Sequence, residues 1–420
     1  MNKTSFSELL YIKGRIGWQR LSKEEYLSEG DYYLVTGVDI NNYNRIDFNQ
    51  CYYVSKERYE MDESIQLKEG DIIVTKDGTI GKIGIIDKLN KPATLNSHLF
   101  LIRNIRPDIL DTGYLFYVLK SDYFQKFALN HTSGSNIPAF TQESISKFEL
   151  VLPSLFEQKK VSDCLSFIEE KIRNNTKINT ELEALAKTIY DYWFLQFDFP
   201  NEEGKPYKSS GGKMVWNDEL KRAIPEGWEV KAVSKIIEVK DGTHDSPKYT
   251  DKGKYLITSK HLTNSGIDFK SANFITEEDF SAINQRSQVD TGDILFSMIG
   301  AVGTVYRIDE EHIDFAIKNV ALYKTSQDSL FFNYLYMTLK SELMDAYIAN
   351  TMAGSIQKFM SLGSLRTMPI IYDAKVIEKY QKHTKDIFSQ MTNIKRENQE
   401  LISLRDFLLP MLMNGQVTFK

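Results

Sequence analysis

The sequence predicts an α+β protein in which two similar strand-rich domains are separated by two long helices that pair with each other. Three features point there: an internal repeat, short β-branched and aromatic runs broken by glycine and Asx turns in each copy, and a long heptad-patterned polar helix after each copy. The repeat is clearest where Gly70-Asp71-Ile72-Ile73-Val74-Thr75-Lys76-Asp77-Gly78-Thr79-Ile80-Gly81 recurs 222 residues later as Gly292-Asp293-Ile294-Leu295-Phe296-Ser297-Met298-Ile299-Gly300-Ala301-Val302-Gly303. Across residues 70–87 and 292–309, seven of eighteen positions are identical, where chance gives about one. The same spacing pairs Tyr33-Leu34-Val35-Thr36 with Tyr255-Leu256-Ile257-Thr258. Downstream, Gly134-Ser135 answers to Gly354-Ser355, and Phe140 is matched to Phe359.

Residues 1–153 form the first strand-rich domain, with Gly17-Trp18 near its start matched to Pro225-Glu226-Gly227-Trp228. On that matching the first lead-in is about a dozen residues shorter than the second. Residues 154–199 form the first long helix, opened by the capping box Ser154-Leu155-Phe156-Glu157 just after Pro153. Residues 200–372 hold a linker and the second strand-rich domain. Residues 373–420 hold the second long helix, which Asp373 is placed to cap, and a tail. One apolar stripe reads Val161, Leu165, Ile168, Ile172, Asn175, Asn179, Leu182, Ala186, Ile189, Trp193. The other reads Tyr380, Thr384, Ile387, Met391, Ile394, Asn398, Leu401, Arg405, Leu408. Spacings of three and four with charged flanks predict a coiled-coil seam, whose asparagines weaken the interface but fix its register. Some 40 residues give a rod of about 60 Å. Two such helices in one chain most simply pair with each other; recruitment of another chain by each remains open.

The composition excludes several classes. Lys and Arg number 52 against 57 Asp and Glu, a formal charge of −5, so the chain lacks the general basic excess that holds nucleic acid non-specifically. No apolar run of about 18 residues occurs, and the start has no secretory pattern, which predicts a cytoplasmic protein with no membrane partner. Cys51 and Cys164 are too few and too far apart for a zinc knuckle or a disulfide framework. The six histidines lack metal-ligand spacing. Gly78-Thr79-Ile80-Gly81-Lys82-Ile83-Gly84 lacks phosphate-loop spacing and reads as a turn between strands. There is no Gly-x-Ser-x-Gly elbow, and Glu157-Gln158-Lys159 lies in a helix start whose glutamate serves the cap. The expectation is no catalytic residue, no metal and no cofactor. Two related heads held a fixed distance apart suit two half-sites on DNA, and heads that differ imply an asymmetric, bipartite target.

Further stretches are more specific: Tyr192-Trp193-Phe194 running into Phe197-Asp198-Phe199-Pro200, then Gly204-Lys205-Pro206-Tyr207-Lys208-Ser209-Ser210-Gly211-Gly212, Ile224-Pro225-Glu226-Gly227-Trp228, Asp241-Gly242-Thr243-His244, and Leu408-Leu409-Pro410-Met411-Leu412-Met413-Asn414-Gly415. In this order, over essentially the whole chain, the sequence resembles the specificity (S) subunit of Type I restriction-modification systems. The resemblance implies two target recognition domains, an antiparallel coiled coil acting as a ruler, and an internal pseudo-two-fold repeat. It also implies double-stranded DNA and two methyltransferase (M) subunits as partners, with restriction (R) subunits bound through M. S-adenosylmethionine, ATP and Mg belong to those partner subunits. A self-contained methyltransferase or nuclease, a purely structural adaptor, and the specificity subunit of a related system with fused modification and cleavage subunits stand as alternatives. Copy one has no sequence match to Asp241-Gly242-Thr243-His244, which implies heads that meet DNA differently at that edge.

Base readout needs polar or cationic groups on loops and strand ends. In copy one the candidates are Asn41, Asn42, Asn44, Arg45, Lys76, Asp77, Ser133, Ser135 and Asn136. In copy two they are Thr243, His244, Lys260, His261, Asn264, Ser297, Lys318, Asn319, Ser355, Gln357 and Lys358. Each has a plainer alternative, because Asn and Ser in turns often bond their own backbone and lone lysines are often solvated or on phosphate. The aromatic cluster Tyr192, Trp193, Phe194, Phe197 and Phe199, and Leu408, Leu409 and Met411, fit either core packing or a partner surface.

Overall fold

In each half of the chain, strands that are nearly continuous apolar runs build a four-stranded antiparallel sheet that is buried on both faces. A computed structural model describes residues 3–15, 21–133, 139–263, 266–352 and 359–417. In the first domain this sheet runs Leu10–Gly14, Leu99–Asn104, Ile72–Thr75, Ile83–Ile85. Ile72, Val74, Phe100 and Ile102 face the helices Thr112–Lys120 and Asp122–Asn130, while Ile73, Leu99 and Leu101 face a second cluster with Tyr33, Val35 and Leu95. Alternate side chains of a strand point to opposite faces, so one run of isoleucines serves both layers. The second cluster comes from a three-stranded sheet, Tyr52–Val54, Tyr32–Val35, Ala93–Leu95, whose last pair is parallel.

The second domain repeats this plan strand for strand. Its four-stranded sheet runs Val239–Asp241, Val320–Tyr323, Ile294–Ser297, Val305–Arg307, and its three-stranded sheet Asn273–Ile275, Lys254–Thr258, Phe315–Lys318, again with the last pair parallel. An antiparallel pair closes each domain: Lys3–Ser5 with Glu149–Val151, and Glu229–Ala232 with Pro369–Tyr372.

Strand register corrects two of the repeat assignments. Ile12 and Ile72 both pair with Ile102, and Val239 and Ile294 both pair with Tyr323, so Ile12 corresponds to Val239. Gly14-Arg15 is therefore the counterpart of Asp241-Gly242. Gly17-Trp18, which lies outside the described residues, does not align with Gly227-Trp228. The first domain takes 21 residues from Ile12 to Tyr33 where the second takes 16 from Val239 to Tyr255, so its lead-in is longer, not shorter. Phe140 N donates to Lys76 O at 2.9 Å and Met360 N to Met298 O at 2.9 Å, which makes Met360, not Phe359, the equivalent of Phe140. Both are buried, whereas Phe359 is half exposed. Gly134-Ser135 and Gly354-Ser355 lie outside the described residues.

The chain divides into two units, Met1–Thr176 with Arg396–Lys420, and Lys177–Lys395. Both long helices, Leu155–Tyr190 and Ala374–Met413, contribute to both units. The first helix is capped as its sequence dictates: Ser154 N donates to Glu157 Oε2 at 3.0 Å and Glu157 N to Ser154 Oγ at 3.3 Å. Val376 N donates to Asp373 Oδ1 at 2.8 Å at the start of the second. In the first unit the helices pair antiparallel. Val161 and Leu165 share a core with Leu412, against which Leu408, Leu409 and Met413 pack. Further along, buried Asn175 donates to Glu397 Oε2 at 2.7 Å, Lys171 pairs with the same carboxylate at 3.2 Å, and Asn398 donates to Thr176 Oγ1 at 3.3 Å. In the second unit Ala186, Tyr190, Trp193 and Phe194 pack with Val376, Ile377, Tyr380 and Phe388.

The seam departs from the heptad in places. Ile168 and Ile172 are buried, but Leu182, Ile189, Ile387, Met391, Ile394, Asn398, Leu401 and Leu408 are half-buried, while Tyr190 and Phe388 are buried in their stead near the second domain. Where a helix enters a domain core, a wider face is covered than a two-helix seam covers. The same burial settles the aromatic cluster as core: Trp193, Phe194, Phe197 and Phe199 are buried and only Tyr192 is exposed. Equivalent lysines tie both domains to the first long helix. Lys120 and Tyr117 bond Glu169 in one unit, and Lys340 and Tyr336 bond Glu183 in the other. Among the described residues no helix is long and apolar enough to cross a membrane.

Candidate nucleic-acid interface

Polar loops gather at one end of each domain, and each begins with a capped turn. Thr36 N and Oγ1 donate to Asp39 Oδ2 at 2.6 and 2.9 Å. At the equivalent place Thr258 N donates to His261 Nδ1 at 3.0 Å. A threonine bonded by the residue three positions on is a capping box, which fixes the backbone between them. His261 is thereby corrected as a readout candidate: its ring is buried and occupied by the cap. Burial pushes its imidazole below the ordinary histidine value and pushes the Asp39 carboxyl up. Between cap and partner, Val38 and Lys260 face outward. Lys260 was legible as a candidate; Val38 was not, because it carries no hydrogen-bonding group.

The repeated glycine-rich segment forms the next loop. Thr75 Oγ1 accepts from Lys82 N at 2.9 Å and donates to Thr79 O, and Ser297 Oγ accepts from Thr304 N at 2.8 Å and donates to Ala301 O. Ser297 is fully buried and spends its hydroxyl on this turn, so it too is removed from the readout set. Lys76 lies half-buried over the Phe100 ring at 5.3 Å, and burial lowers the ammonium below its usual range. Asp77 bonds His98 Nδ1 at 2.8 Å. These loops adjoin the capped turns. Lys82 Nζ donates to Gly37 O at 3.1 Å, Ser259 Oγ to Asn319 O at 2.7 Å, and Met298 N to Ser259 Oγ at 3.2 Å.

In the second domain Asp241-Gly242-Thr243-His244 completes the end. Gly242 N donates to Val320 O and Thr243 N to Ile317 O, both at 3.0 Å, and a Cβ on Gly242 would sit 2.2 Å from Ile317 O. Only glycine fits there. Thr243 is buried, its hydroxyl accepting from Asp245 N at 3.1 Å. Exposed His244 is held from both sides, Nε2 to buried Asp241 at 2.8 Å and Nδ1 to Asn319 at 2.8 Å, and Arg286 also bonds Asp241. Lys318 Nζ donates to Ser246 Oγ at 2.6 Å. His244, Asn319 and Asp241 line a cleft of about 750 Å³ together with Met298, Ile299, Phe359 and Met360. Gly242→Ala is expected to cost ~1–3 kcal/mol by overpacking and to displace His244, read as a lower melting temperature with altered DNA affinity. In the first domain Arg15 takes this position, buried, with Nε donating to Leu95 O at 3.1 Å and a terminal nitrogen to Thr94 Oγ1 at 3.3 Å.

Other candidates serve the fold. Asn41 Oδ1 accepts from Tyr43 N at 2.9 Å and Arg45 N at 3.1 Å, closing an Asx turn. Asn44, at φ 56°, donates to Ile83 O at 2.8 Å. Arg45 pairs with Asp87 at 2.8 Å and lies over the Phe116 ring. Asn42 remains exposed. The side chain of Ser133, and Ser135, Asn136, Asn264, Ser355, Gln357 and Lys358, lie outside the described residues.

The family model for the Type I restriction modification DNA specificity domain matches residues 8–184 and again 225–404. The chain is 26% identical over 401 residues to the Type I restriction enzyme MjaIX specificity subunit of Methanocaldococcus jannaschii, covering 92% of this chain and 87% of that protein. It is 24% identical over 377 residues to the HindI specificity subunit of Haemophilus influenzae, covering 76% and 80%. Among solved structures, the Type I restriction-modification S subunit from M. genitalium shares the fold with a TM-score of 0.57 at 17% identity, over 98% of this chain and 95% of that one. Two matches to one DNA specificity domain, lying on two domains of the same topology, establish that this chain belongs to the family of Type I restriction-modification specificity subunits.

Proposed function

We propose that the two domains read the two unlike halves of one asymmetric, bipartite DNA target, and that the chain itself performs no catalysis. The observation that carries this reading is a shared loop scaffold with unlike side chains: Val38 against Lys260, Asp77 against Ile299, Arg15 against Gly242 with its neighbour His244. A shared framework with different functional groups suits two sequences read in similar geometry. The chain further scaffolds two methyltransferase subunits, and through them restriction subunits. Exposed Phe156 and Phe167 on the first long helix and Phe407 on the second support this, since large apolar groups on helix surfaces suit a protein partner. S-adenosylmethionine, ATP and Mg then act in those partners, which also supply phosphate contacts that an acidic chain lacks.

Single-molecule methylation mapping of DNA from cells expressing this chain with its methyltransferase partner tests the proposal. The expected result is one motif of two non-identical halves separated by a fixed gap. A continuous or perfectly palindromic motif would overturn it.

A further inference from the structure

Resting on the reading just given, we propose that residues 38 and 260 are one readout position fitted with two probes: Val38 contacts a thymine methyl in one half-site, and Lys260 the O6/N7 edge of a guanine in the other. Register makes the two positions equivalent. Tyr33 pairs in parallel with Ala93 and Tyr255 with Phe315, and the capping threonine, Thr36 or Thr258, lies three residues after each tyrosine. The turn is held at both ends. In the first domain, besides the cap, Asp47 N donates to Asp39 O at 2.8 Å and Lys82 Nζ to Gly37 O at 3.1 Å. In the second, Asp268 N donates to His261 O at 2.8 Å and Ser259 Oγ to Asn319 O at 2.7 Å. The neighbouring positions in the turn are thus spent on holding it, and the middle residue is left to project.

What projects is chemically opposite in the two domains. Val38 is 78% exposed, an unusual place for a β-branched apolar residue whose burial would be favourable. It borders a cleft with Lys23, Tyr26, Tyr52, Asn96 and His98, where polar groups accompany it. A stiff valine loses little side-chain entropy on contact, and the thymine methyl is the one apolar group on the major-groove edge. Lys260 is exposed at the same place, and an ammonium suits the two acceptors of guanine. A lysine resting only on phosphate would position the domain without specifying a base.

The test is methylation mapping in cells that express the full chain with its methyltransferase partner, using wild type, Val38→Lys, Val38→Thr and Lys260→Val. Val38→Lys is expected to exchange an A·T for a G·C requirement at one position of one half-site, leaving its other positions and the other half-site unchanged. Lys260→Val should relax one guanine of the other half-site. Discrimination at the affected base pair should change by about 5- to 150-fold. Val38→Thr keeps a methyl group and should retain the wild-type motif. Melting of each purified complex verifies that these surface changes leave the fold intact. Unchanged half-sites in both Val38→Lys and Lys260→Val, or uniformly lower methylation with an unaltered motif, overturn this inference while leaving bipartite recognition standing. Absence of a bipartite motif in the wild type overturns the underlying reading instead.

Discussion

Alanine at Asp293 is expected to unfold the second domain at urea concentrations where the wild-type chain stays folded. Asp293 is fully buried beneath the repeated Gly-Asp turn, and its Oδ2 lies 2.6 Å from Lys324 Nζ, itself buried. Lys324 also donates to Asp290 Oδ2 at 2.6 Å and Gln288 O at 3.1 Å, while Asp293 accepts from Asp290 N at 2.7 Å and Ser326 N at 3.2 Å. Removing Asp293 leaves buried Lys324 with only the half-exposed Asp290 carboxylate and takes the acceptor from two backbone amides, a loss of ~3–5 kcal/mol. That is a large part of the ~5–15 kcal/mol that keeps a domain folded. Urea unfolding followed by far-ultraviolet circular dichroism reads the loss. The double change Asp293→Leu with Lys324→Met, which removes both charges, should recover much of it. In the first domain the same position holds Asp71, paired with Arg103 at 2.7 Å. Because the Arg103 side chain keeps 24% of its surface in water, Asp71→Ala should cost less than Asp293→Ala.

Phe194→Ala should loosen the first long helix from the second domain at a cost of ~3–5 kcal/mol, the range for deleting a buried aromatic ring. The ring is fully buried, with centroids 4.7 Å from Tyr334, 5.3 Å from Tyr190, 5.4 Å from Tyr380 and 5.9 Å from Trp228. It therefore joins the first helix, the second helix, a domain helix and the lead-in of the domain in one contact set. Tyr192→Ala, two residues away and exposed, serves as the control and should leave the melting temperature nearly unchanged. Equal losses from the two substitutions would refute this account of the junction.

How much the sequence disclosed depended on the range of the interaction. The Ser154-Glu157 box and the Asp373 cap are bonds within four residues, and both formed as read. The Gly70 and Gly292 segments aligned because each encodes the same strand, turn and strand. The Gly17-Trp18 and Phe140 assignments failed because a shared dipeptide or a shared ring carries no information on cross-strand register, which is a long-range property. The heptad placed Ile168 and Ile172 correctly but passed over Tyr190 and Phe388, since burial there is imposed by a domain core rather than by the partner helix. At the loops, polarity alone could not separate Ser297 and His261, whose side chains hold turns, from Lys260, which projects. It missed Val38 altogether, although an apolar residue inside a capping box was a readable sign.

The unit that holds the first domain also holds Arg396–Lys420, and Leu412 is buried among the same side chains as Phe6, Leu115 and Leu165. Domains ordinarily mature in the order the ribosome delivers them. Here the second unit, continuous from Lys177 to Lys395, receives all its residues while the first still waits for its last wall. A nascent chain interrupted between the two helices would thus carry an apolar opening on its earlier half, a surface for chaperones or proteases to find.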